Sequence, residues 1–255
     1  MSPFSAVTGE APDVLPPEGS ASRRGVVALG DSITVGEGEP LLGVSMQSWA
    51  AWVAEAFDVP FHKLARNGAT AKEILEELAP RMHGRYDVAL VYAGVNDVRQ
   101  ETWRPDDYRL TMDALVGLAS THADRVVVAT LPDDLGRPSS APKSTQASSL
   151  VRDVAAAHGA LVLDLSDFGG RRMVLPDVVH PTAPGQVEMA ARAVELLLAD
   201  GLHGHGGAAP ANPWLLADPY LGPRAQLAAE RRWVVGLGRD VRRRTIEAAA
   251  RRVGR

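Results

Sequence analysis

Four short apolar runs, GVVAL (25–29), DVALVYAG (87–94), RVVVATL (125–131) and ALVLDL (160–165), are separated by segments with helical spacing. Strands that are apolar at nearly every position are buried on both faces, and parallel strands of that kind need helical crossovers to join them. The chain is therefore expected to be α/β, a parallel sheet covered by helices on both sides. A further short strand is expected from Phe61. Among the helices, SWAAWVAEAF (48–57) sets Trp49, Trp52, Val53 and Phe57 on one face, and TAKEILEELAPRM opens with Thr70 and Glu73 in capping-box spacing. KSTQASSLVRDVAAAHG (143–159) ends in a glycine stop, and residues 183–201 carry Pro184 in the first turn and Gly201 at the end.

These patterns divide the chain into a disordered leader (1–23), a catalytic-size domain (24–201), a Gly/Pro-rich connector (202–223) and a basic amphipathic helix (224–255). The net charge of −4 hides an asymmetry: Pro223–Arg255 carries +7, leaving −11 on residues 1–222. An acidic body argues against a nucleic-acid groove, which needs clustered Lys and Arg. In the C-terminal helix Leu227, Val234, Leu237, Val241 and Ala248 fall near one face. That face is expected to pack on the acidic body or on a second copy, with peripheral contact to a membrane surface as the other option. Trp214, Leu215 and Leu216 in the connector are expected to need burial. No apolar run reaches membrane-spanning length, and the N-terminus lacks the pattern of a secretory signal, so a cytoplasmic location is expected. The chain has no cysteine, which excludes disulfides, thiolate zinc sites and a thiol nucleophile.

In open parallel sheets, ligands and catalytic groups collect at the carboxyl ends of the strands. Ser32 follows the first strand; Asn67 and Gly68 follow the strand from Phe61; Asn96 and Asp97 follow DVALVYAG; Asp177 and His180 lie in the loop before the last helix of the domain. A serine hydroxyl needs a base, and the unperturbed pKa of histidine suits that task. Asp177, three residues before His180, is placed to accept the imidazole Nδ1–H and fix the tautomer. The N–H groups of Ser32 and Gly68 and the amide of Asn96 would supply an oxyanion hole.

Each residue has a plainer reading. Ser32 could be only a helix cap, Asn96 a turn residue and Gly68 a steric necessity of its loop. Asp31 and Asp97 are expected to bind loop amides, and Asp133 and Asp134 to be turn residues. His203 and His205, in a flexible stretch, are not expected to hold a metal. Gly36 and Gly38 lack the rest of a phosphate loop. The segment 37–47 is expected to border an acyl pocket through Leu41, Leu42 and Met46.

The motifs GDSIT (Ser32), NGAT (Gly68), GVND (Asn96) and DVVH (Asp177, His180), in this order, resemble the four blocks of the SGNH hydrolases, also called GDSL esterases or lipases. The resemblance covers roughly residues 24–200. It implies a three-layer α/β/α, flavodoxin-like domain with a five-stranded parallel sheet, without the G-x-S-x-G elbow of α/β-hydrolases, which this chain lacks. It further implies Ser32 as nucleophile, His180 as base, Asp177 as its orienting partner, and Ser32, Gly68 and Asn96 as the oxyanion hole. The expected function is hydrolysis of a small-molecule ester through an acyl-enzyme, without metal or other cofactor. Alternatives are a catalytically silent binding module, or a specialised carbohydrate O-deacetylase or lysophospholipase.

Overall fold

The structure, a computed structural model, describes residues 24–136 and 140–253. The leader expected at residues 1–23 lies outside the described residues. Five strands, β1 (Val26–Gly30), β2 (Phe61–Ala65), β3 (Tyr86–Tyr92), β4 (Ala123–Ala129) and β5 (Leu161–Leu163), form one all-parallel sheet in the order β2-β1-β3-β4-β5. β1 and β3 are buried almost throughout, as their unbroken apolar runs require. β5 stops earlier than its apolar run because the Asp164 carboxylate turns the chain, accepting from Thr130 Oγ1 and from the Ser166 N–H, each at 3.0 Å.

Helices α2 (Trp49–Phe57) and α7 (Ala183–Ala199) pack together over one face, and α5 (Pro105–His122) and α6 (Ala141–His158) over the other. α2 buries Trp49, Trp52, Val53 and Phe57, the face its spacing predicts. α5 is absent from the sequence reading above. Its signals are nonetheless present: Pro105 opens it, two aspartates fill its first turn, and Tyr108, Met112, Leu115, Val116 and Ala119 make its buried stripe. The capping box at Thr70 and Glu73 forms, opening α3 (Ala71–Glu73), which widens at once into an i→i+5 stretch over Ile74–Leu78.

Two very short helices sit on the strand ends: α1 (Ser32–Val35) after β1 and α4 (Val95–Val98) after β3. Beyond α7 come α8 (Pro213–Ala217) and the long α9 (Pro223–Val253). α9 contacts the body, but through a face other than the one its apolar residues predict. Leu227, Val234, Leu237 and Val241 are exposed, while Ala229 and Asp240 are buried and Gly236 faces Pro176; the side chain of Ala248 lies outside the described residues. A Cβ at Gly236 would come within 2.8 Å of the Pro176 ring, so the close approach selects small residues and turns the bulky stripe outward. Of the three connector residues expected to need burial, Trp214 is packed, its Nε1–H donating to Glu188 at 3.2 Å, whereas Leu215 and Leu216 are exposed. Among the described residues no helix is long and apolar enough to cross a membrane.

One buried side chain ties the layers together around the end of β1. Gln186 on α7 is fully enclosed; its Oε1 accepts the Trp49 N–H at 2.7 Å and its Nε2 donates to the Ile33 carbonyl at 3.1 Å. Removing it orphans the buried Trp49 N–H, leaves the Ile33 carbonyl with only the Gly36 N–H at 3.2 Å, and opens a cavity. Gln186→Ala is expected to lose about 2–4 kcal/mol of stability in urea unfolding; a loss below about 1 kcal/mol would show that water or rearrangement satisfies those groups.

Candidate active site

β1 is in register with both neighbours, Gly30 opposite Ala65 of β2 and Tyr92 of β3. The loops after these strands therefore leave the sheet at one level. In the order 2-1-3-4-5 the crossovers reverse direction between β1 and β3, which opens a crevice at their carboxyl ends. Ser32 and Asn96 flank that crevice.

Ser32 is the first residue of α1, not its cap: Asp31 caps the helix, its Oδ1 accepting the Ile33 N–H at 3.0 Å. The Ser32 hydroxyl lies 3.1 Å from His180 Nε2. His180 Nδ1 is 2.7 Å from Asp177 Oδ2, and Asp177 Oδ1 accepts the N–H groups of Val179 and His180 at 2.9 and 3.0 Å. Sequence neighbours three apart thus form a closed turn in which the carboxylate is gripped from two sides. Val178 takes φ 59° inside this turn, an unfavourable conformation for a β-branched residue that the surrounding bonds must hold.

The loop between β5 and α7 has to carry His180 back from the edge strand to β1. It does so as a small hairpin: Val174 and Pro181 form an antiparallel bridge, the Leu175 N–H donates to the His180 carbonyl at 2.8 Å, and the Thr182 N–H donates to Met173 at 2.9 Å.

The remaining sequence candidates converge on the same edge. Gly68 is exposed in its loop with φ +76°, and an added Cβ there would meet nothing, so backbone conformation and not space selects glycine. Neither the Ser32 nor the Gly68 N–H meets an acceptor among the described residues. Asn96 Nδ2 donates to the Ala69 carbonyl at 3.0 Å, which fixes the amide against the Gly68 loop. Asp97 accepts the Ala71 N–H at 3.0 Å, tying the same two loops a second time. Asp133 and Asp134 make turn contacts, with Thr145 and with the Gly136 N–H. Leu41, expected at an acyl pocket, lines a cavity under α9 instead.

Glu37 is the site residue that sequence reasoning missed. α1 ends at Gly36, and the Glu37 N–H folds back onto the Ser32 carbonyl at 2.9 Å. That turn brings Glu37 Oε2 to 3.4 Å from His180 Nε2, and Asn67 Nδ2 donates to the other carboxylate oxygen. No spacing rule marks such a residue; only the fold of the turn places it.

The electrostatics sort the carboxyls into opposite states. Burial works to raise Asp177, but the bond from the His180 ring and the two backbone N–H bonds outweigh it and hold the group at about 2. His180 is raised above its ordinary 6.5 by the Asp177 hydrogen bond, against burial, and further by the charges of Asp177, Glu37 and Asp31. Asp31 is fully buried and burial pushes it up to about 7, opposed by the Ile33 N–H and the His180 charge. Its Oδ2 has no partner among the described residues.

A carboxyl whose pKa is raised in the folded state takes up its proton more readily there than in the unfolded chain. Stability is therefore lost as pH rises from 3.8 toward 7. Asp31→Asn lacks that loss. Its stability relative to the parent is expected to improve between pH 4 and pH 8 by up to about 4 kcal/mol. Parallel stability curves over that range would place the Asp31 pKa near its ordinary value.

Comparison with known proteins bears on this arrangement. The GDSL-like lipase/acylhydrolase family matches residues 28–187. No curated protein matches the sequence. Solved structures with the same fold include an alpha/beta hydrolase enzyme from the metagenome of Lake Arreo, 20% identical over 69% of this chain and 95% of that one, with a TM-score of 0.56. A lipase/acylhydrolase from Enterococcus faecalis is 20% identical over 69% and 96%, with a TM-score of 0.56. An acetylxylan esterase from Geobacillus stearothermophilus is 18% identical over 68% and 93%, with a TM-score of 0.52. At these identities the structures speak for the α/β fold, whereas the sequence match spans more than half of the chain and includes Ser32, Gly68, Asn96, Asp177 and His180. The chain belongs to the GDSL-like lipase/acylhydrolase family.

Proposed function

We propose that the protein is a serine esterase that hydrolyses a carboxylic ester through an acyl-enzyme on Ser32. The unbroken chain Ser32 Oγ, His180 Nε2, His180 Nδ1, Asp177 Oδ2, with links of 3.1 and 2.7 Å, is the observation that carries this reading. His180 takes the hydroxyl proton as Oγ attacks the ester carbonyl, and returns it to the leaving alcohol. Water then repeats the cycle on the acyl-enzyme with His180 again as base. Asp177, ionised at neutral pH, fixes the tautomer with the proton on Nδ1 and stabilises the imidazolium. The oxyanion that forms at each step is held by the N–H groups of Ser32 and Gly68 and by Asn96, donors set in place before the charge develops.

The Glu37 carboxylate narrows the choice of ester. Beside His180 it repels a phosphate or carboxylate on the alcohol part and accepts hydrogen bonds from hydroxyl groups. An ester of a neutral, hydroxyl-bearing alcohol, such as an O-acylated carbohydrate, fits this environment best.

An active-site serine phosphonate is expected to label the parent but neither Ser32→Ala nor His180→Ala, and Ser32→Ala is expected to lower kcat/KM about 10⁴-fold or more on p-nitrophenyl acetate. An unlabelled parent would overturn the enzyme reading and leave a ligand-binding module in the same crevice. Because the base must be neutral, kcat/KM is expected to rise with pH to a plateau, with a midpoint above 6.5. In Glu37→Gln the loss of a negative charge 3.4 Å from Nε2 should move that midpoint down by about half a pH unit. A midpoint that stays put in Glu37→Gln would mean that the carboxylate is turned away from the ring in solution.

A further inference from the structure

Behind the Asp177–His180 turn, between it and α9, lies a cavity of about 600 Å³. One wall is the stretch just before the turn, Val174 to Pro176, together with Arg171; the opposite wall is α9, from Ala228 to Arg239. None of the proposed catalytic groups lines it.

Its charge is unlike that of the body. Arg171, Arg231, Arg232 and Arg239 border the cavity, and among the described residues Glu39 is the only acidic one that does. Arg232 is engaged with the Pro40 carbonyl at 2.8 Å, and Arg171 lies over the Trp233 ring at 5.1 Å. Glu230, on the same helix, is taken up by Arg172. Among the described residues Arg171, Arg231 and Arg239 have no carboxylate partner. An acidic body was expected to receive the basic helix, yet at this contact it presents Arg171 and Arg172. Like charges gathered around one space make its potential positive and favour an anion there.

The other features of the cavity say what kind of anion. Leu41, Val174, Leu175, Ala228 and Val235 give it apolar walls, so a small hydrated ion would leave most of it unfilled. The Nε1–H of Trp233, another wall residue, is buried without an acceptor. Guanidinium groups match the two oxygens of a carboxylate, and an indole N–H can complete the set. We propose that this cavity is a binding site for an aliphatic carboxylate, an anionic head held by Arg171 and Arg239 with its chain against the apolar walls. The site is distinct from the Ser32 crevice. It adjoins Asp177 directly through Pro176, so its occupant would brace the turn that carries the imidazole.

Calorimetric titration of the full chain with decanoate, below its micelle concentration, tests this. One equivalent should bind, about tenfold or more weaker in Arg239→Gln and in Arg171→Gln, and unchanged in Ser32→Ala. Arg239 is exposed and, among the described residues, makes no hydrogen bond or ion pair, so its variant should keep the parent melting temperature and report on binding alone. Inorganic phosphate at equal concentration should not displace decanoate, and decanol should bind at least tenfold more weakly. No binding, equal binding of decanol, displacement by phosphate, or full affinity in Arg239→Gln would each overturn the proposal; loss of binding in Ser32→Ala would assign decanoate to the crevice instead.

Discussion

The site depends on bringing an imidazole from the far edge of the sheet to a hydroxyl 148 residues earlier in the chain. β5 is the outermost strand on one side, while Ser32 follows β1, with β3 and β4 between them. The crossover after β5 cannot run straight into α7. It first doubles back as the hairpin closed by Val174 and Pro181, and only after His180 has been delivered does Thr182 cap α7, its side chain accepting the Gly185 N–H. Gln186, one turn further on, then clamps the end of β1 through Ile33. Both partners of the Ser32–His180 contact are thus anchored to the first turn of one helix. This is how a pair so distant in sequence is kept within hydrogen-bond reach.

Around the imidazole stand three carboxyls with three different environments. Asp177 accepts from the His180 ring and from two backbone N–H groups and stays charged. Asp31 has one donor on one oxygen and none on the other, and burial holds its proton. Glu37 is more open, with Asn67 as its partner. The difference decides their roles: the well-solvated or well-bonded carboxylates stabilise a positive ring, whereas the buried one makes a cap for α1 and adds negative charge only at higher pH. Charge type alone would have made the three equivalent.

The parallel sheet and the five convergent residues were legible because both rest on local rules: apolar runs make buried strands, and strand ends make sites. What escaped did so for identifiable reasons. α5 carries an apolar stripe as regular as that of α2, but charged residues fill its other face, so the segment does not stand out by hydrophobicity. Glu37 is placed by a backbone bond to Ser32 at the end of a four-residue helix, and no periodicity encodes such a bond. Asp31 took the capping role that Ser32 could have filled. In a GDS sequence both side chains can cap, and the choice is made by where β1 ends in the sheet.

α9 shows most clearly how an amphipathic pattern can mislead. A hydrophobic stripe identifies the buried face of a helix when side-chain volume fills the space between partners. Here the partner is the stretch that ends at Pro176, just before the catalytic turn, and the helix approaches it along Ala229 and Gly236, seven residues apart on the opposite side. Polar anchors then fix the seat: Glu230 to Arg172, Arg232 to the Pro40 carbonyl, and Trp233 under Arg171. A helix held by small residues and directional contacts leaves gaps beside the line of closest approach, where a helix seated by leucines would fill them. The outward apolar stripe and the arginine-lined cavity thus have one physical origin, the demand for close approach at Gly236.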